Sequence, residues 1–461
     1  MRPCRFLGKC RELATLKKEL ELKEKRIEEL EAENRILAHE LAEVRAKLFS
    51  KKAKKKDKGK RKPKKRGAPK GHPGWFRKKP DVIDKEVELY PKKCPICGST
   101  NIGSCSKKEE HIQEDIVVPK AVVTKYIHHY GYCKDCGKVF PPRGAGELFR
   151  SYIGPTAKAF AAYLKYKVKV SDRDIVDLFK KMFGLEIDTS SIPGFRDQLR
   201  RAGYPLYEKL LKSLKNSPYI NADETGWSLD GKNHWLWNFS NKNISITHID
   251  KSRGGKVIED ILGKKYGGVL VSDFLAAYNR IESKKQKCIV HLKRDILKAK
   301  ERYYDDRSIL RYLSRLTRLI DYAISIKEDY QKGKIGDKNF TKKRVSVMDQ
   351  IKDFSFPSPQ KGILLTLAKR LKKHGGSLFT FLYYDVPWHN NHAEQQIRPH
   401  VLLRKITFGN RSKKGIINHS VISSIMQTAK LNDICSYRIL KRILLADTLK
   451  RDNLLPLIRS P

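Results

Sequence analysis

Two acidic residues directly follow short apolar segments, at positions where carboxylates could carry out chemistry. Asp223 follows residues 219–222, and Asp273 follows residues 269–272. Both segments predict buried strands, and an acid at a buried strand end is costly unless it is paired or binds a metal. Such carboxylates, brought together, could hold two Mg²⁺ ions ~3.5–4 Å apart for phosphoryl transfer. Each Asp taken alone is more often a turn residue or a helix cap.

A third acid, Glu394, lies in a polar segment rich in cations. Residues 385–411 read DVPWHNNHAEQQIRPHVLLRKITFGNR, and Asn390 and Asn391 precede a predicted helix that carries Glu394. The cations that follow are Arg398, Arg404, Lys405 and Arg411. An acid set among Asn, His and Arg suits a phosphodiester site, because neighbouring cations can hold the DNA backbone.

Four cysteines form two CxxC pairs, each followed by glycine. Cys94 and Cys97 make the first pair, and Cys133 and Cys136 make the second. Each pair places two thiolates on one tight turn, so two turns complete a tetrahedral Zn²⁺ site with no open position, which predicts a structural metal. Buried thiols are the alternative. Cys105 and three intervening histidines are possible substitute ligands.

The charge balance points to a polyanionic partner. The chain has 461 residues and a formal net charge of +47, from 98 Lys and Arg against 51 Asp and Glu. Residues 51–79 hold 16 of these cations and one acid, so most of the excess is spread over the rest of the chain. Distributed cations favour nucleic acid. No apolar run approaches the roughly 18 residues of a membrane span, and the cysteine usage suits a reducing cytoplasm.

The N-terminal region predicts a coiled coil and a linker. Residues 11–50 repeat apolar side chains at alternating steps of three and four, interrupted by Lys23 and Asn34. This heptad predicts a homodimer through the N-terminal coiled coil; a lone amphipathic helix is the alternative. Residues 51–80 are too basic and polar to bury a core, and predict a disordered linker.

The next two regions predict a small β domain and a helical domain. Residues 81–145 contain the CxxC pairs and predicted strands, among them 122–130 and 139–140. Residues 146–215 predict helices that start near residues 171 and 188, compatible with a helix-turn-helix whose second helix enters a DNA groove. Generic helix packing explains the same pattern equally well. The second helix carries Arg196, Arg200 and Arg201 as predicted DNA contacts.

The elements that must position the acids follow in order. Strands are predicted at residues 219–222, 234–239, 244–249 and 269–272, with a helix at 255–262 before the last strand. Residues 292–380 are mostly helical by periodicity, and a further helix begins at 390–398. Asp223, Asp273 and Glu394 therefore come from two strands and one helix.

Four motifs in this order resemble transposases of the insertion-sequence-66 family. They are Asp223-Glu224-Thr225-Gly226-Trp227, then Ser272-Asp273-Phe274 with Tyr278, then residues 288–294 (CIVHLKR), then residues 390–399 (NNHAEQQIRP). The CxxC pairs, the N-terminal heptad, the basic linker and Leu454-Leu455-Pro456 also resemble that family. The similarity runs over nearly the whole chain.

The resemblance implies a fold and a catalytic triad. The fold class is multidomain: an N-terminal coiled coil, a zinc-binding β domain, a helical DNA-binding domain, and an α/β ribonuclease-H-like catalytic core with a helical insertion. The core would comprise residues 216–300 and 380–431, the insertion 301–379, and a C-terminal helical tail 432–461. The Asp-Asp-Glu triad falls on Asp223, Asp273 and Glu394, as ligands of Mg²⁺ or Mn²⁺, and 120 residues separate the last two.

Further polar residues lie within or close to these motifs. His389 stands where many relatives are expected to have Asp, and Asp385 could compensate. His291 and Arg294 are predicted to contact DNA, although a satisfied core histidine explains His291 equally well. Glu224 directly follows Asp223 on a strand, so its side chain should face the other way.

The function that follows is metal-dependent cleavage at transposon ends and strand transfer into target DNA. Expected partners are double-stranded DNA, as transposon ends and target, and accessory transposition proteins; the expected location is the prokaryotic cytoplasm, at the nucleoid. One alternative is a non-catalytic, transposase-derived DNA-binding regulator, against which the complete triad argues. Another is a ribonuclease-H-like nuclease, which would cut without joining strands.

Overall fold

The computed structural model describes residues 151–354 and 362–446 without a break, residues 120–140, and shorter pieces between 80 and 148. Outside the described residues lie the predicted linker up to residue 79, Cys94, Cys97 and residues 447–461. The predicted coiled coil also lies outside them, except for Lys23 and Ile27, which are both helical. The coiled-coil dimer therefore stays a prediction.

Residues 47–119 form one compact unit, and the remainder of the chain forms another. In the first unit, residues 80–89 and 98–101 contain neither helix nor strand. In the second, strand β1 (Gly131–Tyr132) pairs antiparallel with β2 (Val139–Phe140), as predicted for residues 139–140. The predicted strand at 122–130 is wrong, because Val122 and Val123 are 88% and 95% exposed and no described strand pairs with this segment.

Three helices precede the central sheet. Helix α1 (Pro155–Tyr163) continues into a π-helical turn, Leu164–Val168, and is followed by α2 (Asp172–Phe183) and α3 (Ser191–Lys215). The Ser171 side chain accepts a hydrogen bond from the Asp174 backbone N–H, which caps α2 as its sequence predicts. Both predicted helix starts are therefore confirmed.

The central sheet has five strands in the order β5–β4–β3–β6–β7. They are β3 (Tyr219–Leu229), β4 (Lys232–Ser240), β5 (Ser245–Asp250), β6 (Lys265–Ser272) and β7 (Glu282–Lys287), with helix α4 (Gly255–Leu262) before β6 and a 3₁₀ turn, Ala276–Asn279, before β7. Strands β3, β4 and β5 pair antiparallel, whereas β3, β6 and β7 pair parallel. The first four strands and α4 are confirmed. Strands β3, β4 and β6 are longer than predicted, β5 is shifted by one residue, and α4 has the predicted bounds.

Strand β7 has no apolar pattern, and sequence periodicity does not predict it. It reads Glu-Ser-Lys-Lys-Gln-Lys and forms an edge of the sheet, where lysines discourage pairing with other chains. Gln286 and Lys287 at its end are nevertheless fully buried. Its last residues therefore reach the interior beside the end of β6.

Helices cover both faces of the sheet. Four helices follow β7, namely α5 (Ile289–Arg302), α6 (Arg307–Gln331), α7 (Asp337–Lys352) and α8 (Gly362–Leu378), and α8 is followed by a 3₁₀ turn, Thr380–Leu382. These helices share one apolar cluster with Val269 and Val271 of β6. A second cluster joins α3, α4, β4 and helix α10 (Lys413–Leu431). The mostly helical character predicted for residues 292–380 is confirmed for the described residues, whereas the insertion bounds of 301–379 stay a prediction.

Two more helices complete the described chain. Helix α9 (Asn391–Thr407) packs on β3 and β4 through Trp227, Leu236 and Ile397, and α11 (Ser436–Leu445) packs on α1 and α3. The result is a mixed α/β core built on a five-stranded mixed sheet. Among the described helices, none is long and apolar enough to cross a membrane.

Candidate active site

The two aspartates follow corresponding positions of neighbouring parallel strands. Asn221 of β3 is in register with Val271 of β6, and each Asp lies two residues further along its chain. Adjacent strands are about 4.8 Å apart, so continuing this register brings the backbones at Asp223 and Asp273 to neighbouring positions. The parallel pairing thus brings the two aspartates to neighbouring strands. Asp273 follows the end of β6, whereas Asp223 lies within β3 rather than at the predicted strand end, because β3 continues to Leu229 in pairing with β4.

Asn390 fixes the start of α9 against β3. Its side-chain amide donates to the Ala222 carbonyl at 2.8 Å, and its side-chain carbonyl accepts from the Asn221 amide at 3.0 Å. Asn390 is fully buried, and its carbonyl accepts the bond from the Glu394 backbone N–H, at 3.2 Å, that opens the helix. Glu394 is therefore held in the first helical turn beside the strand that carries Asp223.

A second set of bonds ties this corner to the end of β6. The Cys288 backbone N–H donates to the Ser272 carbonyl at 2.8 Å, and the Cys288 sulfur accepts from the Asn390 backbone N–H at 3.2 Å. Burial raises the pKa of the Cys288 thiol, which therefore stays protonated. The motif at residues 288–294 thus joins the segments that carry Asp273 and Glu394.

The acids influence each other's protonation. Burial raises the pKa of Asp223 to about 8, and the charge on neighbouring Glu224 adds to the rise. The charges on Asp273 and Glu394 act in the same direction, although more weakly. Burial and the neighbouring acids therefore both disfavour the charged form of Asp223, and a bound cation would favour it.

Glu224 belongs to a different environment from Asp223. Its side chain is 2% exposed, accepts a hydrogen bond from the Tyr278 hydroxyl at 2.6 Å and pairs with Arg253 at 2.8 Å. Alternation along a strand directs its side chain to the opposite face from that of Asp223. Both of its oxygens are engaged, so Glu224 supports the strand rather than offering a free ligand.

Lys287 supports the loop at Asp273. Its ammonium group donates to the Asp273 carbonyl at 2.8 Å and to the Ser272 hydroxyl at 3.2 Å. Burial lowers the pKa of Lys287 to about 8. One oxygen of the Asp273 carboxylate accepts a hydrogen bond from the Leu275 backbone N–H at 2.9 Å. Asp273 is therefore also a turn residue, which was the alternative role expected from its sequence position.

The sequence pattern does not reveal Asn221 and Lys287, the two residues that support the segments carrying Asp223 and Asp273. Asn221 lies inside an apolar strand, and Lys287 ends a strand whose charged pattern hides it. The burial of a polar residue beside a catalytic motif can be recognised only after the strand that carries it is known. The sequence identifies the motif that contains Asn390 but does not predict the contact of Asn390 with β3.

The donor set fits a divalent cation in type and charge. Within the described residues, Glu394 Oε1 and the Nδ1 atoms of His291 and His389 are buried without a hydrogen-bond partner. Hard cations such as Mg²⁺ prefer carboxylate oxygens, and such an ion would favour the charged form of Asp223 against its burial. However, no three His, Cys, Asp or Glu side chains in the described part of the chain are grouped closely enough to ligate one ion.

His389 and Asp385 lie close together in sequence but in different surroundings. The His389 ring packs edge-on against Trp388 at 4.8 Å between ring centroids. Asp385 is exposed and accepts a bond from the Gln331 side chain at 3.3 Å. The possible compensation by Asp385 stays a prediction.

The predicted DNA contacts fall into two groups. Arg196 binds both oxygens of Asp172 at 2.8 and 2.9 Å, and Arg200 and Arg201 both pair with Asp197. The second group lies on α5, on α9 and just beyond α9. Its exposed members are Arg294, Arg398, Lys405 and Arg411, and its partly buried members are His291 and Arg404. All of these roles stay predictions.

The second CxxC pair has the backbone of a metal-binding knuckle. Cys133 and Cys136 are free thiols on the turn between β1 and β2. The Cys133 carbonyl accepts from the Gly137 backbone N–H at 2.9 Å, and Gly137 has a φ of 68°, which favours glycine. Hydrogen bonds from Cys136 lower the pKa of the Cys133 thiol. The thiolate that a metal needs is therefore favoured.

The fold and this acidic corner agree with comparison to known families. A five-stranded mixed sheet with helices on both faces and acids on two neighbouring strands is consistent with a ribonuclease-H-like core. The family model described as Transposase IS66 family matches residues 150–417, more than half of the chain, and the chain belongs to this family. It is thus an insertion-sequence transposase by family. A comparison with curated proteins gives no match.

Proposed function

We propose that the chain catalyses metal-dependent DNA cleavage at transposon ends and strand transfer into target DNA. The observation that carries this proposal is the Asn390 contact with the Ala222 carbonyl, at 2.8 Å. This bond joins residues 168 positions apart in the chain, and it supports a location of Glu394 beside the strand that carries Asp223. Bringing acids from separate segments together is unfavourable without a cation, because burial raises the pKa of Asp223 and the charges on Glu224, Asp273 and Glu394 add to the rise.

Each acid has a defined part in the proposed mechanism. Asp223, Asp273 and Glu394 would hold the divalent cations, which when bound activate the attacking oxygen and neutralise the leaving oxygen. Lys287 keeps the Asp273 loop in place through the backbone carbonyl. Exposed cations on α9 would hold the DNA backbone next to the acids, because phosphate contacts position the strand for in-line attack.

Charge-removing substitutions test this assignment. Asp223→Asn, Asp273→Asn and Glu394→Gln should each lower Mg²⁺-dependent cleavage of a plasmid carrying the element's own flanking DNA by at least about a thousandfold, because the cations would lose a ligand. DNA binding should be retained. Asp260→Asn is the matched control, since Asp260 is an exposed carboxylate on α4, and it should cleave normally.

The same assay separates the alternative functions. Wild-type levels of cleavage by any of the three variants would overturn the triad. DNA binding without cleavage by the wild-type chain would favour a regulator, and cleavage without joining to a supercoiled target would favour a nuclease.

We also propose a structural Zn²⁺ held by Cys94, Cys97, Cys133 and Cys136. The turn at Cys133 supports this proposal through its knuckle geometry and lowered thiol pKa. The purified chain should contain about one zinc per chain by atomic emission, and Cys133→Ser should lose it. Equal zinc content in the two proteins would refute this site. Cys435→Ser, at an exposed thiol outside the pairs, is the control.

A further inference from the structure

A pocket of about 660 Å³ opens between the β3–β4 hairpin and the end of α9. Its lining combines aromatic, cationic and small polar residues and contains no acid. The lining residues are Gly226, Trp227, Ser228, Asn233, His234, Trp235, Arg404, Lys405 and Phe408. Its volume falls within the ~300–1,000 Å³ of small-molecule sites in proteins. None of the three proposed metal-binding acids, Asp223, Asp273 and Glu394, lines this pocket.

The two walls of the pocket are bonded to each other. The Arg404 guanidinium donates to the Gly226 carbonyl. Beyond the helix, the Asn410 backbone N–H donates to the Ser228 carbonyl at 2.9 Å, and the Trp227 indole N–H donates to the Asn410 side chain at 2.9 Å. The pocket is therefore pre-formed, which lowers the entropic cost of binding.

Phe408 is held at the rim in an unusual conformation. Its φ is 57°, a left-handed geometry that is uncommon for a bulky residue, and its side chain is 76% exposed. The next residue, Gly409, has a φ of 105°, and a Cβ there would collide with the Ser228 carbonyl. A strained, exposed aromatic ring on a fixed turn is typical of ligand-binding positions.

The lining chemistry selects the class of ligand. Aromatic rings and arginine stack on the faces of nucleobases, and Lys and Arg attract the phosphates that accompany them. Arg253 already lies over the Trp235 ring at 4.3 Å. A cationic ligand is disfavoured, because Arg404 and Lys405 line the pocket and no acid there offsets them.

The pocket lies along both elements that carry catalytic acids. On β3 it begins three residues after Asp223 and ends five residues after it, which is about 10–17 Å at ~3.4 Å per residue. On α9, Arg404 follows Glu394 by ten residues, which is about 15 Å at 1.5 Å per residue. A nucleotide strand spans about 3.4 Å per step. The pocket therefore lies roughly three to five nucleotides from the acids.

We infer that this pocket binds an unstacked nucleobase of the DNA strand that the acids cleave, roughly three to five nucleotides from the reacting phosphate. This inference rests on the proposed function. Phe408 and His234 stack on the extruded base, and Arg404 and Lys405 hold the flanking phosphates. Extrusion costs a few kcal/mol of stacking energy, so the pocket prefers DNA that is already unpaired at this position.

Binding to two short duplexes tests the inference without cleavage. The first duplex is fully paired, and the second carries one unpaired 2-aminopurine, whose fluorescence reports stacking. The full-length wild-type chain should bind the second about tenfold more tightly, because one base–aromatic stack contributes on the order of 1–3 kcal/mol. Phe408→Ala and His234→Ala should each remove most of this preference. Their affinity for the paired duplex should change by less than about twofold.

Tyr304→Ala is the matched control, because Tyr304 is an aromatic residue that is 61% exposed and outside the pocket. It should keep the preference. Three outcomes would overturn the inference: no preference in the wild-type chain, preference kept by both pocket variants, or equal weakening toward both duplexes. The second is also expected if the pocket serves a protein partner, because its variants would then leave binding to both duplexes unchanged. If one of these outcomes occurs while the wild-type chain still binds the paired duplex, only the inference about the pocket is overturned. If the wild-type chain binds neither duplex, the inference and the proposed function are both overturned.

Discussion

Helices α3 and α9 both carry arginines that the sequence predicts to contact DNA, but their arginines have different partners. On α3, Arg196 is paired with Asp172, and Arg200 and Arg201 share Asp197. Among the ion pairs formed by described residues, none involves the four predicted contacts on and just beyond α9. These are Arg398, Arg404, Lys405 and Arg411, of which Arg404 donates to the Gly226 carbonyl. The predicted arginines of α3 are thus engaged by acids, whereas Arg398, Lys405 and Arg411 are exposed without such a pair in the described part of the chain.

The difference shows that a pattern of cationic residues in a sequence does not reveal whether those residues pair with acids of the same chain. Asp172 lies on another helix, 24 residues before Arg196, so no local pattern reveals the pair. An arginine that holds two helices together and an arginine that holds a phosphate look the same in sequence. We therefore expect α9 to contribute more to DNA affinity and α3 to contribute more to stability.

The largest expected effect is on DNA binding by α9. Replacing Arg398, Lys405 and Arg411 together with alanine should weaken binding roughly tenfold or more at physiological salt. Each lost phosphate contact should also reduce the slope of log affinity against log salt by about 0.9. The slope can be measured by fluorescence anisotropy over a salt series, and thermal unfolding should be unchanged.

A matched control removes the same charge elsewhere. Lys338, Lys342 and Lys352 are exposed on α7, in the helical insertion. Their triple alanine variant should change the slope much less. Equal effects of the two triple variants would mean that net charge, rather than the location on α9, determines binding.

A smaller effect, on stability, is expected on α3. Arg196→Ala should lower the free energy of unfolding by about 1–3 kcal/mol at pH 7, because Asp172 loses a bidentate partner and keeps only Lys165. Denaturant unfolding measures this loss. Arg201→Ala should cost less than about 1 kcal/mol, because Arg201 is 64% exposed. A loss of DNA affinity by Arg196→Ala without a loss of stability would contradict this assignment.

The pH dependence of Arg196→Ala adds a check with a defined sign. Burial alone would raise the pKa of Asp172, but Arg196 and Lys165 outweigh it and the net pKa is lowered. The pair therefore contributes stability above the unfolded pKa of about 3.9, and this contribution is lost as the pH falls through the lower folded value. The variant and the wild type should converge in stability at acid pH.

The sequence predicts most of the sheet but not its acid-supporting edge. Strands β3, β4, β5 and β6 follow from apolar patterning, because their side chains fill the core. Strand β7 does not, because its lysines reflect its edge position. The acids themselves were predictable as motif residues. Asn221 and Lys287 were not, because their roles depend on contacts with residues far away in sequence.

The segment at residues 122–130 shows the opposite error. Its β-branched and aromatic residues have strand propensity, but propensity becomes a strand only with a partner and a face to bury. In the structure Val122 and Val123 are almost fully exposed. The local sequence pattern predicted strands correctly where the core supplied a neighbouring strand to pair with. It predicted a strand wrongly at residues 122–130, where no described strand pairs with the segment.

The most direct test of the catalytic assignment is the position of Mn²⁺ in crystals of the full chain grown with MnCl₂, located by anomalous scattering. We predict an ion within about 2.0–2.3 Å of carboxylate oxygens of Asp223 and of Asp273 or Glu394. Asp223, Asp273 and Glu394 would then lie closer together than they do now, because within the described residues no three such side chains are grouped closely enough to ligate one ion. Ordered Mn²⁺ bound only elsewhere, with these carboxylates free of metal, would contradict the account.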